Sequence, residues 1–152
     1  MRVLYLHPSP ARGGATKSLV EMVAALPVGA VDGVVLAPRA SAAHLFRALG
    51  LDVVTVRGIS QWDNTRVGYY RGLRWLILVR EMLYWPFTLW GLVEVARRGP
   101  FDLIHCNEIT ALLPALVAKR LFRVPLIVHV RPSNWETDDA YYIGSPLVKL
   151  EK

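Results

Sequence analysis

Charge is scarce in this chain, and cysteine scarcer. Of 152 residues only 20% are charged, and the one cysteine is Cys106. A lone cysteine closes no internal disulfide, so the fold must rest on its core and suits a reducing compartment. The amino terminus has no basic stretch leading into a long apolar one, so no secretory signal is predicted. Metal-ligand spacing is also missing. His7, His105 and His129 follow no ligand motif and no cysteine cluster accompanies them, so no metal is expected. The absence of G-x-S-x-G excludes a nucleophile elbow. With no internal repeat and no low-complexity linker, one domain is predicted.

What is present is apolar. Hydrophobic residues make up 53% of the chain, which excludes disorder and suggests a surface meant for burial against a second domain or a membrane. The net charge of +6 favours anionic neighbours such as phosphate, or serves only solubility. The apolar runs Val34-Val35-Leu36-Ala37, Val53-Val54-Thr55-Val56 and Leu126-Ile127-Val128 lack polar alternation, as in parallel strands buried on both faces. The pattern predicts strands over 2–7, 33–37, 52–57, 101–106 and 125–131, and helices over 15–26, 41–49, 72–98 and 108–122. Residues 58–70 read as irregular, and 132–152 carry no assignment. Strands alternating with helices predict a Rossmann-like α/β fold, an open parallel sheet with helices on both faces.

Three stretches carry candidate chemistry. In the first, a strand ends at Pro8-Ser9-Pro10 and passes through Arg12, Gly13, Gly14 and Ala15 into a helix. That order aims free N–H groups and a positive dipole end at a ligand above the strand, most suitably a phosphate. Lys17-Ser18 mimics a P-loop ending, but Thr16 stands where its glycine is required, so a Walker motif is rejected. The other reading is a plain strand-to-helix turn. In the second stretch, Phe101-Asp102-Leu103-Ile104-His105-Cys106-Asn107-Glu108, a buried strand delivers His105, Asn107 and Glu108 near its carboxyl end, where open α/β sheets bind ligands. His105 would bond a sugar hydroxyl or phosphate, or serve as a satisfied core histidine, and Asn107 is placed to cap the next helix. In the third, Arg131 follows Val128-His129-Val130 and offers a charge for phosphate or an ion pair with Asp138 or Asp139.

Residues 72–98 stand apart. Trp75, Trp85 and Trp90 lie among leucines and valines, with Arg66, Arg71, Arg74 and Arg80 leading in and Arg97-Arg98 closing. Arg80-Glu81 and Pro86 argue against a membrane span, and Pro86 is expected to break or bend the helix. Two readings remain: an interfacial helix with Arg71, Arg74, Trp75, Trp85 and Trp90 facing an anionic membrane, or a helix packed on the sheet with its tryptophans as core.

Together these stretches resemble the amino-terminal domain of GT-B glycosyltransferases, specifically the family-four retaining group. The likeness rests on the first strand running through Gly13-Gly14, on Phe101 to Asn107, and on Arg123-Val124-Pro125 entering the fifth strand. The resemblance implies an acceptor-side domain of a two-domain enzyme that uses a nucleotide-sugar as donor substrate and needs no other cofactor. It places Gly13 and Gly14 on the loop facing donor diphosphate and acceptor, and His105 and Asn107 on the acceptor side of the cleft. Two departures follow. Arg131-Pro132 stands where the family often has His-Asp, and no two glutamates have the spacing of the family's donor-domain pair.

The chain is therefore expected to be a single amino-terminal domain lacking its donor domain, inactive alone, with catalytic residues unassigned. It would be cytoplasmic or peripheral on the inner face of a membrane. Its acceptor would be a sugar or, given the aromatic-basic segment, a lipid-linked one. The alternative is a stand-alone Rossmann-like module that binds a nucleotide or partner without catalysis. Nucleic acid is not expected, because the arginines surround an apolar segment with no interleaved exposed pattern.

Overall fold

The computed structural model describes residues 1–62 and 72–130. Five parallel strands, β1 (Arg2–Leu6), β2 (Asp32–Pro38), β3 (Asp52–Val56), β4 (Leu103–Cys106) and β5 (Leu126–Val128), form one sheet in the order β3-β2-β1-β4-β5. Helices α1 (Gly14–Ala24), α2 (Ser41–Ala48), α3 (Trp75–Ala96) and α4 (Leu112–Phe122) join them, with 3₁₀ turns at Gly72–Arg74 and Ile109–Ala111. Every element predicted from the apolar pattern is present, most with trimmed ends. The expected strand 125–131 shrinks to Leu126–Val128, where Ile127 is half exposed at the sheet's edge.

Alternation along each strand sorts the core into two layers. Val3, Tyr5, Val35 and Ala37 meet Leu19 of α1 and Ala42 and Phe46 of α2 on one face. Leu4, Leu6, Val34, Leu36 and Ile104 meet Leu92 and Val95 of α3 and Ala115 and Ala118 of α4 on the other. This explains the unbroken apolar strands: both pleat directions are covered. Each large aliphatic side chain so buried contributes about 1.5–3 kcal/mol.

Chain order reverses between β1 and β4. The chain moves outward from β1 through β2 to β3, then returns through α3 to β4 on the other side of β1. Loops leaving β1 and β4 thus diverge to opposite faces, opening a crevice at the carboxyl edge.

Helix α3 runs unbroken through Pro86, which removes the break that the sequence allowed. Pro86 and Met82 are both on the exposed side, so the Met82 carbonyl left without its amide donor opens to the surroundings. The basic close of the helix is also less free than the sequence suggests, because Arg97 pairs with Glu94 and Arg98 with Asp52.

Gly91 sets how closely α3 approaches the sheet. A Cβ there would lie 2.7 Å from Leu36 Cδ1 and 2.8 Å from Val56 Cγ1, both buried. The substitution Gly91→Val should therefore destabilise the fold by about 2 kcal/mol in urea titration, despite better helix propensity, because overpacking outweighs the gain. Unchanged stability would mean that α3 slides freely on the sheet.

Candidate functional site

The carboxyl edge is organised around His7, the residue after β1. Its backbone N–H donates to Leu36 O at 3.0 Å, and its ring meets Phe46 edge-on at 5.1 Å. His7 is fully buried, as are Thr16 and Asn107. Asn107 Nδ2 donates to Ala15 O at 3.0 Å and to His7 Nδ1 at 2.9 Å. A carbonyl oxygen only accepts, so the contact with Ala15 O fixes which end of the Asn107 amide points there. Thr16 Oγ1 donates to Ala11 O at 2.7 Å, so its lone pair receives the Nε2 proton of His7 at 3.0 Å. Both deductions give the same tautomer: a neutral imidazole with its proton on Nε2.

This chain of bonds spans the point where strand order reverses. It ties the loop after β1 and the first turn of α1 to the end of β4, and Asn107 N adds a bond to Leu6 O at 3.0 Å. Helix α1 begins at Gly14 after an extended Gly13 (φ −85°, ψ −176°), with no side-chain cap and no acidic residue in its first turn. Its leading amides and dipole end are therefore available to an anion. Neither glycine is required by backbone shape or packing: neither has positive φ, and a Cβ on either meets nothing within 4 Å. What they keep is open space.

A second set of bonds holds the loop after β3. Glu81 of α3, fully buried, receives Arg80 Nε at 2.7 Å on Oε1 and Gln61 N at 2.5 Å on Oε2. Thr88 Oγ1 accepts from Ser60 N at 2.9 Å. Gln61 Nε2 then reaches Pro8 O at 3.1 Å, and Trp62 N bonds Thr110 O at 2.7 Å. Three loops are thereby joined at one edge. No role was assigned to residues 58–62 from sequence. Their polar Ser60-Gln61 pair beyond an apolar strand was the available signal.

The sequence-derived residues are thus partly brought together. Gly13, Gly14 and Ala15 lie at the same edge as Asn107, which is fully buried and bonds the Ala15 carbonyl. Arg12 is exposed on the loop. Asn107 is not the cap of the helix that follows, because a 3₁₀ turn capped at Glu108 intervenes and α4 starts after Ala111. His105 is the penultimate residue of β4, near the strand's carboxyl end as expected, but it is not exposed there. It lies within β4, buried opposite Tyr5 and Ile127, with its ring 5.6 Å from Tyr5 and 5.9 Å from His129. Glu108 is half buried, and its backbone oxygen accepts the Cys106 thiol at 3.1 Å. Arg66, Arg71, Arg131, Asp138 and Asp139 lie outside the described residues. On α3, Trp75 and Trp90 are exposed, Trp85 is half buried, and Arg74 is exposed at its start. His7 and Thr16 were missed, His7 because it reads as the last residue of an apolar run.

The sheet is thus a Rossmann-like α/β domain whose switch point carries an uncapped helix end behind a glycine pair. Residues 13–150 match the family model described as a glycosyl transferase 4-like domain, and the chain belongs to that family. Among solved structures it is similar to HepE of Anabaena in complex with UDP and glucose, at 18% identity over 85% of this chain and 29% of that one, with a TM-score of 0.55. It is also similar to the spinosyn rhamnosyltransferase SpnG, at 22% identity over 86% of this chain and 35% of that one, with a TM-score of 0.51. The chain thus spans about a third of the length of these structures. No curated protein sequence matches it.

Two outcomes follow for the site. His7→Ala and Asn107→Ala should each lower stability by about 1–3 kcal/mol, since each strands a buried polar partner. Their double-mutant cycle should show coupling above about 0.5 kcal/mol, and additive losses would place the two residues in separate networks. Burial pushes the Cys106 thiol up from 9.0 to about 12. The thiol should therefore resist alkylation at pH 8 in the folded chain and react on unfolding. Its contribution to stability is intact below about pH 9 and is lost as pH rises towards 12.

Proposed function

We propose that this chain is the acceptor-side, amino-terminal domain of a GT-B glycosyltransferase that moves a sugar from a nucleotide-sugar to an acceptor. The observation that carries the reading is the open, uncapped start of α1 at the switch point, held by a buried neutral imidazole, in a chain of the glycosyl transferase 4-like family. The leading amides of α1 would stabilise charge on the departing diphosphate, the usual electrostatic role of a helix end. HepE was solved with UDP-glucose as well as with UDP, which supports a nucleoside-diphosphate sugar as donor class here. The donor grip belongs to a second domain, so residues 1–152 alone are inactive. The acceptor is a sugar or a lipid-linked one presented at the cytoplasmic face of a membrane. Of the sequence-derived residues, Gly13, Gly14, Ala15 and Asn107 are assigned to the cleft floor, Arg12 to its rim, and His105 and Glu108 to support behind it.

The glycine pair separates this reading from a non-catalytic module. Gly14→Ala should leave stability unchanged or raise it by up to about 1 kcal/mol, because the position is helical and open. In an enzyme carrying the donor domain, the same change should lower kcat/KM for transfer at least tenfold, about 1.4 kcal/mol of transition-state stabilisation. Undiminished transfer would remove the helix start from the reaction. Turnover of a nucleotide-sugar by residues 1–152 alone would overturn the two-domain assignment.

A further inference from the structure

Helix α3 is longer than the sheet it covers. Arg98, just past its end, pairs with Asp52 at the start of β3, whereas Gly91 already sits against Leu36 and Val56 near the strands' carboxyl ends. At about 1.5 Å per residue, roughly 24 Å of helix before Gly91 runs on past the carboxyl edge. Its inner side is fastened to the domain through buried Glu81 and Thr88. Its outer side exposes Trp75, Val79, Met82, Leu83, Trp90 and Val93 at helical spacing, and the Arg97 guanidinium stands 5.9 Å over the Trp90 ring at its end. By length and composition Gly72–Ala96 could cross a bilayer, and only 22% of its apolar window is buried. A helix fastened along one side to its own domain is not free to span, and its exposed side is left for contact with a surface.

One cleft opens beside this stripe. Arg39 after β2, Thr55, Val56 and Arg57 at the end of β3, and Phe87 and Trp90 of α3 enclose about 640 Å³. The Arg57 guanidinium stands 5.7 Å over the Phe87 ring, and Arg39 N bonds Val56 O at 2.7 Å, which sets the two arginines on adjoining strand ends. Among the described residues neither guanidinium has a carboxylate in ion-pairing range, whereas Arg80, Arg97 and Arg98 each have one. Two uncompensated guanidiniums against an aromatic wall, continuous with an apolar face, fit an anion that carries a hydrocarbon tail.

We propose that this cleft seats the phosphate headgroup of a membrane lipid, with Arg39 and Arg57 on the phosphate and Trp90 and the outer face of α3 among the acyl chains. The proposal goes beyond sugar transfer and is tested without it. The chain is sedimented with phosphatidylcholine vesicles, with or without phosphatidic acid. Binding should require phosphatidic acid and fall at least about tenfold in the Arg39→Gln/Arg57→Gln variant, at the usual contribution of a basic residue near an anionic surface. Dihexanoyl phosphatidic acid should compete, and inorganic phosphate at equal concentration should not. As a control, Arg120→Gln/Arg123→Gln, in a different basic groove on α4, should bind as wild type. Unaltered thermal melting of both variants confirms their folds. Equal binding to neutral vesicles, an unaffected Arg39/Arg57 variant, an equal loss in the control, or displacement by inorganic phosphate would each overturn the site.

Discussion

The His7 imidazole, held neutral between Thr16 and Asn107, is the contact on which the carboxyl edge depends. At the point where strand order reverses, neighbouring loops leave for opposite faces and their polar groups would otherwise face a gap. One ring fills it, accepting from β4's end on one nitrogen and donating to α1's first turn on the other. The arrangement tolerates only one tautomer. A second proton on Nδ1 would oppose the Asn107 amide, whose carbonyl is turned away by its bond to Ala15. Such fully satisfied buried networks specify geometry because each unmade bond carries the full desolvation penalty.

That constraint explains why the glycine pair can remain open. Strand-to-helix turns often need glycine for positive φ or close packing, and neither applies to Gly13 or Gly14. The loop is fixed instead from beneath, by Ala11 and Ala15 carbonyls bonded to Thr16 and Asn107. Its upper side is left without side chains, beside helix amides that no cap occupies.

Helix α3 shows the same division of labour on a larger scale. Its two buried polar side chains are directed at backbone amides of the loop after β3, so a polar residue in an apolar helix serves to place another segment. Its opposite side remains apolar and uncovered, and it meets the sheet through Gly91, Leu92 and Val95. The helix is core over its last turns and surface over the rest.

The sequence by itself determined the class of fold. Uninterrupted valine and leucine runs demand strands covered on both faces, and the helices between them leave a parallel sheet as the economical solution. The glycine pair and Asn107 were also legible as neighbours of strand ends. Their partnership was not, because His7, Thr16 and Asn107 are far apart in the chain and meet only after strand order is set. The same holds for His105. Its place near the end of its strand was evident, but only the pairing register put it beside Tyr5, buried and not open to the rim. Pro86 read as a break or a bend because local propensity opposes it, and the helix runs unbroken through it while Glu81, Thr88 and Leu92 fasten the far side. Residue type and period settle which segments are buried. Which polar groups then share a site depends on register, crossover and long-range hydrogen bonds, and only the tertiary structure decides those.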